Sequence, residues 1–339
     1  MHSPSDLLGE FDLIRRFFKT GAQALQSNSS IALGIGDDCA LLRLTAGQEI
    51  AITTDMLVEG RHFLPGANPE LLGRKALAVN LSDLAAMGAK PLGFTLALAL
   101  PKADAAWLEG FSKGLFAMAN EHSCSLIGGD TTAGPLNICI TAFGSIPTEK
   151  AIQRKGAKVG DDIWVSGELG DARLTLAALQ HEVLVSELDL KQIEHRMHQP
   201  TPRVELGTQL RGIASAALDI SDGLLGDLKH ILEKSQVDAH IFLDLLPKSI
   251  TLQKQSEAIQ NQFAACGGDD YEICFTAPSD QRNVIEKLSN TLRLPLTRIG
   301  QTTAMKNTEA SIVLFSADGK QMGDSDTKIL MQSFDHFSS

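Results

Sequence analysis

The chain has 339 residues, a formal charge of −11 at pH 7 and 43% hydrophobic residues. These values are typical of a globular protein, and the acidic balance excludes binding to nucleic acid or to anionic membranes through the overall charge. A chain of this length usually divides into two domains, and any polyanionic ligand must bring or recruit cations.

The five cysteines are scattered along the chain and form no C-x-x-C pair. Neither a disulfide framework nor a zinc knuckle is therefore indicated. The amino-terminal residues lack the pattern of a secretory signal, and no apolar run reaches the length of about 18 residues that a membrane span needs. We expect a soluble cytoplasmic protein with neither nucleic acid nor membrane as a partner.

Strands and helices alternate in the first half of the chain. Apolar and β-branched runs bounded by Gly, Pro or Asp predict strands at 49–54, 92–100 and 137–146. Helical spacing predicts helices at 69–87, which opens with proline, and at 103–121. The pattern predicts an α/β fold.

The composition turns polar and basic after Pro147, which indicates a domain boundary near residue 150. We expect one domain at 1–149 and a second at 150–339. An apolar strand begins the second domain at Ile163. Its other predicted elements are helices at 171–184, 203–215, 222–234 and 279–292 and strands at 241–245 and 271–276.

Acidic residues beside turn-forming residues recur five times, at predicted strand ends or before a helix or strand. They are Asp37 and Asp38 in GIGDDCALL, Asp55 in ITTD, Asp130 in LIGGD, Asp219 and Asp222 in LDISDG, and Asp269 and Asp270 in CGGDDYE. ITTD and LIGGD are each predicted to end a strand. Loops at strand ends host ligands in α/β proteins, and glycine lets the backbone approach a phosphate or a metal. Each string alone also fits an ordinary turn.

Asp83 lies in KALAVNLSDLAAMG, a helix that is apolar on nearly every side and is therefore predicted to be buried. A buried carboxylate needs a metal ion or a distant basic side chain, and an Asp that forms hydrogen bonds in the core is the rival interpretation. Many carboxylates without a His or Cys cluster favour Mg²⁺ over zinc. Magnesium held by aspartates would relieve the repulsion between two phosphate groups and support phosphoryl transfer.

Several shorter patterns carry no function. The chain contains no G-x-x-x-x-G-K-[ST] loop, and GIGDDC fails the dinucleotide fingerprint because Cys39 stands where the third glycine belongs. GFSKG at 110–114 lies inside a predicted helix, so we interpret it as a chance match to a nucleophile elbow. HRMH at 195–198 predicts a solvated helix face.

Seven longer strings follow one another between residues 34 and 275, in a match that extends from about Gly9 to the carboxyl-terminal FDHF: GIGDDCALL, ITTDMLVEGRHF, KALAVNLSDLAAMGAKP, LIGGDTTAGPL, RKGAKVGDDIWVSG, DISDGL and GGDDYEICF. Their order and spacing resemble those of the thiamine-monophosphate kinase family. NLSDLAAMGA together with IGGDTT is specific to this family and its relatives in the aminoimidazole ribonucleotide synthetase superfamily. The resemblance implies a mixed α/β, two-domain fold, with an ATP- and Mg²⁺-binding N-terminal domain that closes a β-barrel across a homodimer and an α/β C-terminal domain.

The resemblance also implies a kinase reaction of thiamine diphosphate biosynthesis. ATP and thiamine monophosphate would give ADP and thiamine diphosphate, with Mg²⁺ as cofactor. A phosphate monoester is an anionic nucleophile near neutral pH, so direct in-line attack on the γ-phosphorus needs neither a strong base nor a covalent enzyme intermediate.

The matching motif positions imply residue roles. The implied metal ligands are Asp38, Thr53, Thr54, Asp55, Asp83, Asp130, Asp219 and Asp222, with Asp37 shaping the loop beside them. The implied ATP contacts are Gly129, Asp130, Arg154 and Ser221. The implied thiamine monophosphate contacts are His62, Asp269 and Phe334. Catalysis is expected to depend on Asp55, Asp130 and Asp222.

The chain departs from the family at Asp269, where glutamate is more common. The shorter side chain would reach the substrate through water or bind it more weakly. Among sister enzymes, selenophosphate synthetase would need an early reactive Cys and the hydrogenase-maturation relative a terminal Cys, and this chain has neither. Aminoimidazole ribonucleotide synthetase lacks the NLSDLAAMGA motif. A non-catalytic cation or nucleotide sensor is the alternative from another class, and ADP production with thiamine monophosphate discriminates between the two.

Overall fold

The computed structural model forms two compact units, one of residues 1–84 with 89–149 and one of residues 85–88 with 150–339. It describes residues 13–23, 29–35, 38–316, 318–323, 327 and 330. No helix in these ranges is both long and apolar enough to span a membrane.

The first unit contains a four-stranded sheet in the order β3-β6-β4-β5. Its strands are β3 (Gln48–Val58), β4 (Lys90–Leu100), β5 (Ser125–Ala133) and β6 (Asn137–Pro147). β6 pairs antiparallel with β3 and β4, and β4 pairs parallel with β5. A separate antiparallel pair consists of β1 (Ile31–Leu33) and β2 (Leu41–Leu42).

Two long helices accompany this sheet, and each has a capping residue at its start. In the described part of the unit, the helical segments are a π-helix at Ile14–Lys19, α1 (Thr20–Gln23), α2 (Pro69–Ala86) and α3 (Ala105–Glu121). Asn68 Oδ1 accepts backbone hydrogen bonds from the first turn of α2, and Asp104 Oδ1 accepts them from the first turn of α3. Leu77 and Leu81 of α2 are fully buried, which confirms the prediction of a buried helix.

The two faces of β3 differ in exposure. Thr53, Asp55 and Leu57 alternate on one face and are buried or half-buried. On the other face Ile50, Ile52 and Met56 are 38%, 59% and 53% exposed. The sheet therefore has one covered face and one face that shows apolar side chains to solvent.

The second unit contains a six-stranded sheet in the order β12-β9-β11-β7-β10-β8. Its strands are β7 (Asp162–Ser166), β8 (Ala216–Asp219), β9 (Val237–Phe242), β10 (Ile273–Ala277), β11 (Leu296–Ala304) and β12 (Ile312–Phe315). Every strand pair is antiparallel except β12 with β9, which is parallel. All residues of β7, β8 and β10 are buried, so these strands form the centre of the core.

Seven helices connect the strands of the described part of this unit. They are α4 (Asp171–Leu179), α5 (Glu187–His198), α6 (Val204–Leu210), α7 (Leu224–Ser235), α8 (Ile250–Gln253), α9 (Glu257–Cys266) and α10 (Arg282–Leu292), with 3₁₀ turns at Leu243–Leu245 and Ser279–Gln281. Leu218, Leu225, Leu228, Ile231 and Cys274 belong to one buried cluster. The amphipathic face of α7 therefore packs toward the sheet.

The mixed α/β class predicted from the sequence is confirmed, with several elements corrected. The strand predicted at 241–245 ends at Phe242, and the helices predicted at 171–184 and 203–215 end at Leu179 and Leu210. The sequence reading missed β11, whose polar Arg298 and Gln301 break the apolar alternation. β11 lies between β7 and β9, so its pairing within the sheet outweighs its composition.

Candidate active site

Three of the predicted site residues meet on the covered face of β3. Thr53 Oγ1 donates a hydrogen bond to Oδ2 of Asp83 on α2. The backbone N–H of Asp55 donates to Oδ1 of Asn80 at 3.2 Å, and Asn80 Nδ2 donates to the carbonyl of Ala76 at 3.2 Å. Asn80 is fully buried and thus fixes the Asp55 backbone against the helix. Sequence reasoning missed this role of Asn80.

The electrostatics of this cluster oppose the charge on Asp55. Burial, and secondly the negative charge of Asp83, raise the pKa of Asp55 to about 7. A divalent cation beside such a carboxylate would favour its charged form. The carboxylate and hydroxyl oxygens present are the donors that hard cations prefer. Among the residues the structure describes, however, no group of three or more His, Cys, Asp or Glu could hold a metal ion.

Asp130 and Thr54 lie on the exposed face of the same sheet. Asp130 is paired with Ala97, Ala97 with Cys139, and Cys139 with Met56, and directly paired residues share a face. Thr54 Oγ1 lies 2.9 Å from Oγ1 of Thr141 on that face. The described sheet therefore separates Asp130 and Thr54 from Asp55.

The prediction that strands end at Asp55 and Asp130 is wrong. β3 continues to Val58, which pairs with Asn137, and β5 continues to Ala133, which pairs with Leu100. Backbone pairing with the neighbouring strand outweighs the turn propensity of the acids in both cases. Both aspartates therefore lie inside strands, where backbone pairing holds them.

Gly129 gives Asp130 its backbone position. Its φ is +148°, and a Cβ built there would lie 1.9 Å from the carbonyl oxygen of Leu96. Only glycine allows strands β4 and β5 to approach so closely at this point.

Two further predicted residues lie in turns of the first unit. His62 follows β3, and its Nδ1 accepts the backbone N–H of Val58 at 3.0 Å. In the neutral ring the proton is therefore on Nε2, which makes Nε2–H a donor. Asp38 is exposed in a bend before β2. Asp37 lies outside the described residues.

In the second unit, Asp219 is the last residue of β8, and the loop from β8 to α7 carries Ser221 and Asp222. One carboxylate oxygen, Oδ2 of Asp227, accepts the backbone N–H groups of Ser221 at 3.0 Å, Asp222 at 3.1 Å and Gly223 at 3.2 Å. Burial and the nearby charge of Asp222 raise the pKa of Asp227 to about 7, although these hydrogen bonds lower it. Sequence reasoning missed Asp227, although a charged residue among the leucines of LLGDL was a usable signal.

The loop before β10 is fastened to the Ser221 loop by backbone hydrogen bonds. Asp269 N–H donates to the carbonyl of Ser221, and Tyr271 N–H donates to that of Ile220, both at 2.8 Å. Ile220 N–H donates to the carbonyl of Glu272 at 2.8 Å. The structure thus brings together Ser221, predicted to contact ATP, and Asp269, predicted to contact the substrate.

The remaining predicted residues are Arg154 and Phe334. Arg154 is exposed, and its carbonyl accepts a hydrogen bond from Ser235 Oγ at 3.3 Å. The same oxygen of Ser235 accepts the N–H groups of Gly156 and Ala157, so α7 anchors the backbone around Arg154. Phe334 lies outside the described residues.

The chain matches two family models. Residues 36–146 match the N-terminal domain of AIR synthase related protein, and residues 158–313 match its C-terminal domain. The two-domain mixed α/β fold and these matches define an AIR synthase-related protein.

Comparison with individual relatives identifies the family of this chain within the AIR synthase-related proteins. Thiamine-monophosphate kinase from Salmonella typhimurium is 48% identical over 87% of this chain and 91% of its own length. The crystal structure of thiamine-monophosphate kinase from Stenotrophomonas maltophilia aligns with a TM-score of 0.82 and 45% identity, over 89% of this chain and 95% of that one. AaThiL complexed with AMPPCP and TMP aligns with a TM-score of 0.73 and 30% identity, over 99% and 100% of the two chains. The chain belongs to the thiamine-monophosphate kinase family, which confirms the resemblance of its motifs.

Proposed function

We propose that this protein is a thiamine-phosphate kinase that converts thiamine monophosphate and ATP into thiamine diphosphate and ADP. The observation that carries this is family membership over nearly the whole length of both chains. The AaThiL relative, solved with AMPPCP and TMP, supports a nucleotide and thiamine monophosphate as the two ligands.

The cofactor in this proposal is Mg²⁺. The oxygen-only donors around Asp55 and its raised pKa support a cation in the first unit. The proposed Mg²⁺ ligands in the first unit are Thr53, Asp55 and Asp83 on the covered side of the β3 sheet, Thr54 and Asp130 on its other face, and Asp38, so the proposal includes more than one ion. The proposed ligands in the second unit are Asp219 and Asp222. When bound, Mg²⁺ supplies charge neutralisation, because two unit charges at 4 Å repel by about 1 to 4 kcal/mol depending on the dielectric.

The chain's own residues bind and orient the two phosphate groups. The proposed ATP contacts are Gly129, Asp130, Arg154 and Ser221. Arg154 offers an exposed guanidinium, whose geometry suits two phosphate oxygens at once. Asp227 fixes the amides of the Ser221 loop, so that loop is organised before nucleotide arrives.

The proposed substrate contacts are His62, Asp269 and Phe334. The neutral ring of His62 carries its proton on Nε2, and an acid at Asp269 suits a cationic heterocycle. The substrate phosphate oxygen forms the new bond to the γ-phosphorus while the bond to the bridging oxygen of ADP breaks. This transfer needs positioning rather than a strong base. Asp55, Asp130 and Asp222 are the residues on which turnover depends in this proposal.

The proposal includes a homodimer that closes a β-barrel from the N-terminal domain, residues 1–149, followed by an α/β domain at 150–339. Ile50, Ile52 and Met56 support it, because they form an exposed apolar patch on β3, at the opposite edge of the sheet from Asp130 on β5, and such a patch marks an interaction surface. β3 also lies at the edge of its sheet, and long edge strands are normally covered or paired.

A coupled assay for ADP tests the function. Thiamine monophosphate, free thiamine and an aminoimidazole ribonucleotide precursor are offered separately with ATP and Mg²⁺. We expect ADP with thiamine monophosphate alone and none without Mg²⁺. The absence of ADP with thiamine monophosphate at every Mg²⁺ concentration would refute the kinase proposal and favour a nucleotide or cation sensor.

A further inference from the structure

Two residues of the turn that carries Asp269 have an unfavourable backbone conformation. Asp269 has φ 72° and Tyr271 has φ 50°. Residues with a Cβ rarely adopt this left-handed region, and they stay there only where the surrounding structure imposes it. The backbone bonds to Ser221 and Ile220 fix one side of the turn. Contacts on the side of the turn that faces the interior of the unit must also stabilise this conformation.

The side chains of the turn differ in burial. Asp269 and Tyr271 are half-buried, whereas Asp270 and Glu272 are 6% and 1% exposed. The two buried carboxylates therefore point into the unit, whereas the predicted substrate contact, Asp269, is more exposed.

The carboxylate of Glu272 accepts four hydrogen bonds from three side chains. Arg203 donates through Nε to Oε2 at 2.7 Å and through Nη2 to Oε1, and Arg196 Nη2 donates to Oε1 at 2.9 Å. Ser166 Oγ donates to Oε2 at 2.5 Å and accepts the N–H of Ile273 at 2.9 Å. We call Arg196, Arg203 and Glu272 the arginine clamp.

Asp270 provides a second anchor beside the clamp. Both of its carboxylate oxygens accept the backbone N–H of Gly170, at 3.0 and 3.1 Å. Gly167 makes room for Glu272, because a Cβ there would lie 2.2 Å from Oε1. The carboxylates on both sides of Tyr271 are thus tied to the body of the unit.

A second buried acid in the same unit, Asp162, allows support of the turn to be distinguished from general stabilisation of the fold. Asp162 is fully buried and is bound by Arg282 at 2.5 Å and Arg298 at 3.3 Å. It opens β7 and pairs with Ala277 at the far end of β10, whereas the turn precedes the first residue of β10. A buried acid bound by two arginines therefore occurs near each end of β10. Only Glu272, with Arg196 and Arg203, adjoins the turn.

We propose that Arg196 and Arg203 are positioning residues that act through Glu272 to hold the Asp269–Tyr271 turn in the conformation that receives thiamine monophosphate. This inference rests on the proposed function for its substrate. Neither arginine is assigned a contact with substrate or nucleotide. Their effect passes through the backbone of the turn.

Arg203→Lys and Arg196→Lys test the inference, with Arg282→Lys as the matched control. Lysine keeps the charge and loses the two-pronged geometry of the guanidinium. We expect each clamp variant to raise the KM for thiamine monophosphate at least about fivefold, with kcat and the KM for ATP within about twofold. The KM for ATP is spared because Asp227 holds the Ser221 loop separately. The control should leave all three constants within about twofold.

Hydrogen exchange of the Asp269 and Tyr271 amides gives a readout that needs no catalysis. We expect exchange at least about tenfold faster in the clamp variants and native rates in Arg282→Lys. Native KM and native exchange in folded clamp variants would overturn the inference, as would equal changes in the control. If the lysine variants do not fold, Ser166→Ala, which removes one donor to Glu272, is judged by the same outcomes. A native protein that makes no ADP from thiamine monophosphate refutes the proposed function, and the exchange rates still decide whether the clamp holds the turn.

Discussion

At the scale of single residues, Asp55 and Asp227 sit in surroundings that oppose their charge. Burial and a neighbouring acid raise the pKa of Asp55 in the first unit and of Asp227 in the second, each to about 7. Asp55 is one of the proposed Mg²⁺ ligands. Asp227 accepts three loop amides and therefore organises backbone. The two acids should respond differently to substitution by asparagine.

Asp55→Asn should lower kcat at least about a hundredfold while the protein stays folded. The amide removes the charge of a proposed Mg²⁺ ligand and also relieves the repulsion from Asp83, so the melting temperature should not fall. Steady-state ADP production and thermal unfolding measure the two effects. Glu49→Gln, an exposed change on the same strand, is the control and should keep native kcat. Native turnover in Asp55→Asn would contradict its assignment as a metal ligand.

Asp227 should make the stability of the protein depend on pH. Its folded pKa of about 7 lies above the ordinary value of 3.8, so the native state binds the extra proton. The associated stability is present below the ordinary value and is lost as the pH rises toward 7, by about 4 kcal/mol in total. Denaturant unfolding of Asp227→Asn should show a smaller decline between pH 4 and pH 7 than the native protein. An identical decline in both would show that Asp227 does not carry the effect.

At the scale of elements, the main helices and the paired strands of the first unit follow from sequence because their patterns are strong. KALAVNLSDLAAMG is apolar on nearly every side, and α2 is buried accordingly. β11 could not be predicted, because its central position in the sheet compensates for its polar residues. The string HRMH was predicted to be a solvated face; His195 is exposed, but Met197 is buried and Arg196 binds Glu272. The partner of Arg196 is 76 residues away, and no local pattern reveals such a contact.

In the candidate site, too, local motifs predict part of the arrangement, and contacts between residues distant in sequence determine the rest. The motifs place the acids along the chain, and the spacing does not show which face of a strand each occupies. Asp55 and Asp130 were both predicted at strand ends, and both lie inside strands, on opposite faces of one sheet. Strand pairing, a non-local property, determines that arrangement.

The junction of β4 and β5 yields an element-scale prediction. Gly129→Ala should destabilise the protein by at least about 2 kcal/mol, because the new Cβ meets the Leu96 carbonyl and φ is +148°. Displacement of Asp130 should lower kcat as well. Gly134→Ala is the matched control, since its Cβ would meet only Ala99 at 3.6 Å. Denaturant unfolding compares the two variants, and equal stabilities would show that β5 relaxes without cost.

At the scale of the whole molecule, the exposed face of β3 decides whether the proposed dimer forms through the first unit. Ile52 is 59% exposed in the middle of that face, beside Ile50 and Thr54, and Met56 follows Thr54. An apolar face of this kind contributes its burial free energy only when a second copy covers it. A charge placed at its centre would be buried without a partner in a barrel that spans two copies.

Ile52→Asp should therefore shift the protein from dimer to monomer in sedimentation velocity, while each folded copy keeps its secondary structure. Leu184→Asp, a charge introduced at a 95% exposed leucine of the second unit, is the matched control and should remain dimeric. Circular dichroism checks that both variants are folded. A dimeric Ile52→Asp protein, or a native protein that is monomeric at every concentration, would show that this face does not join two copies. Dissociation of both variants would move the interface away from β3.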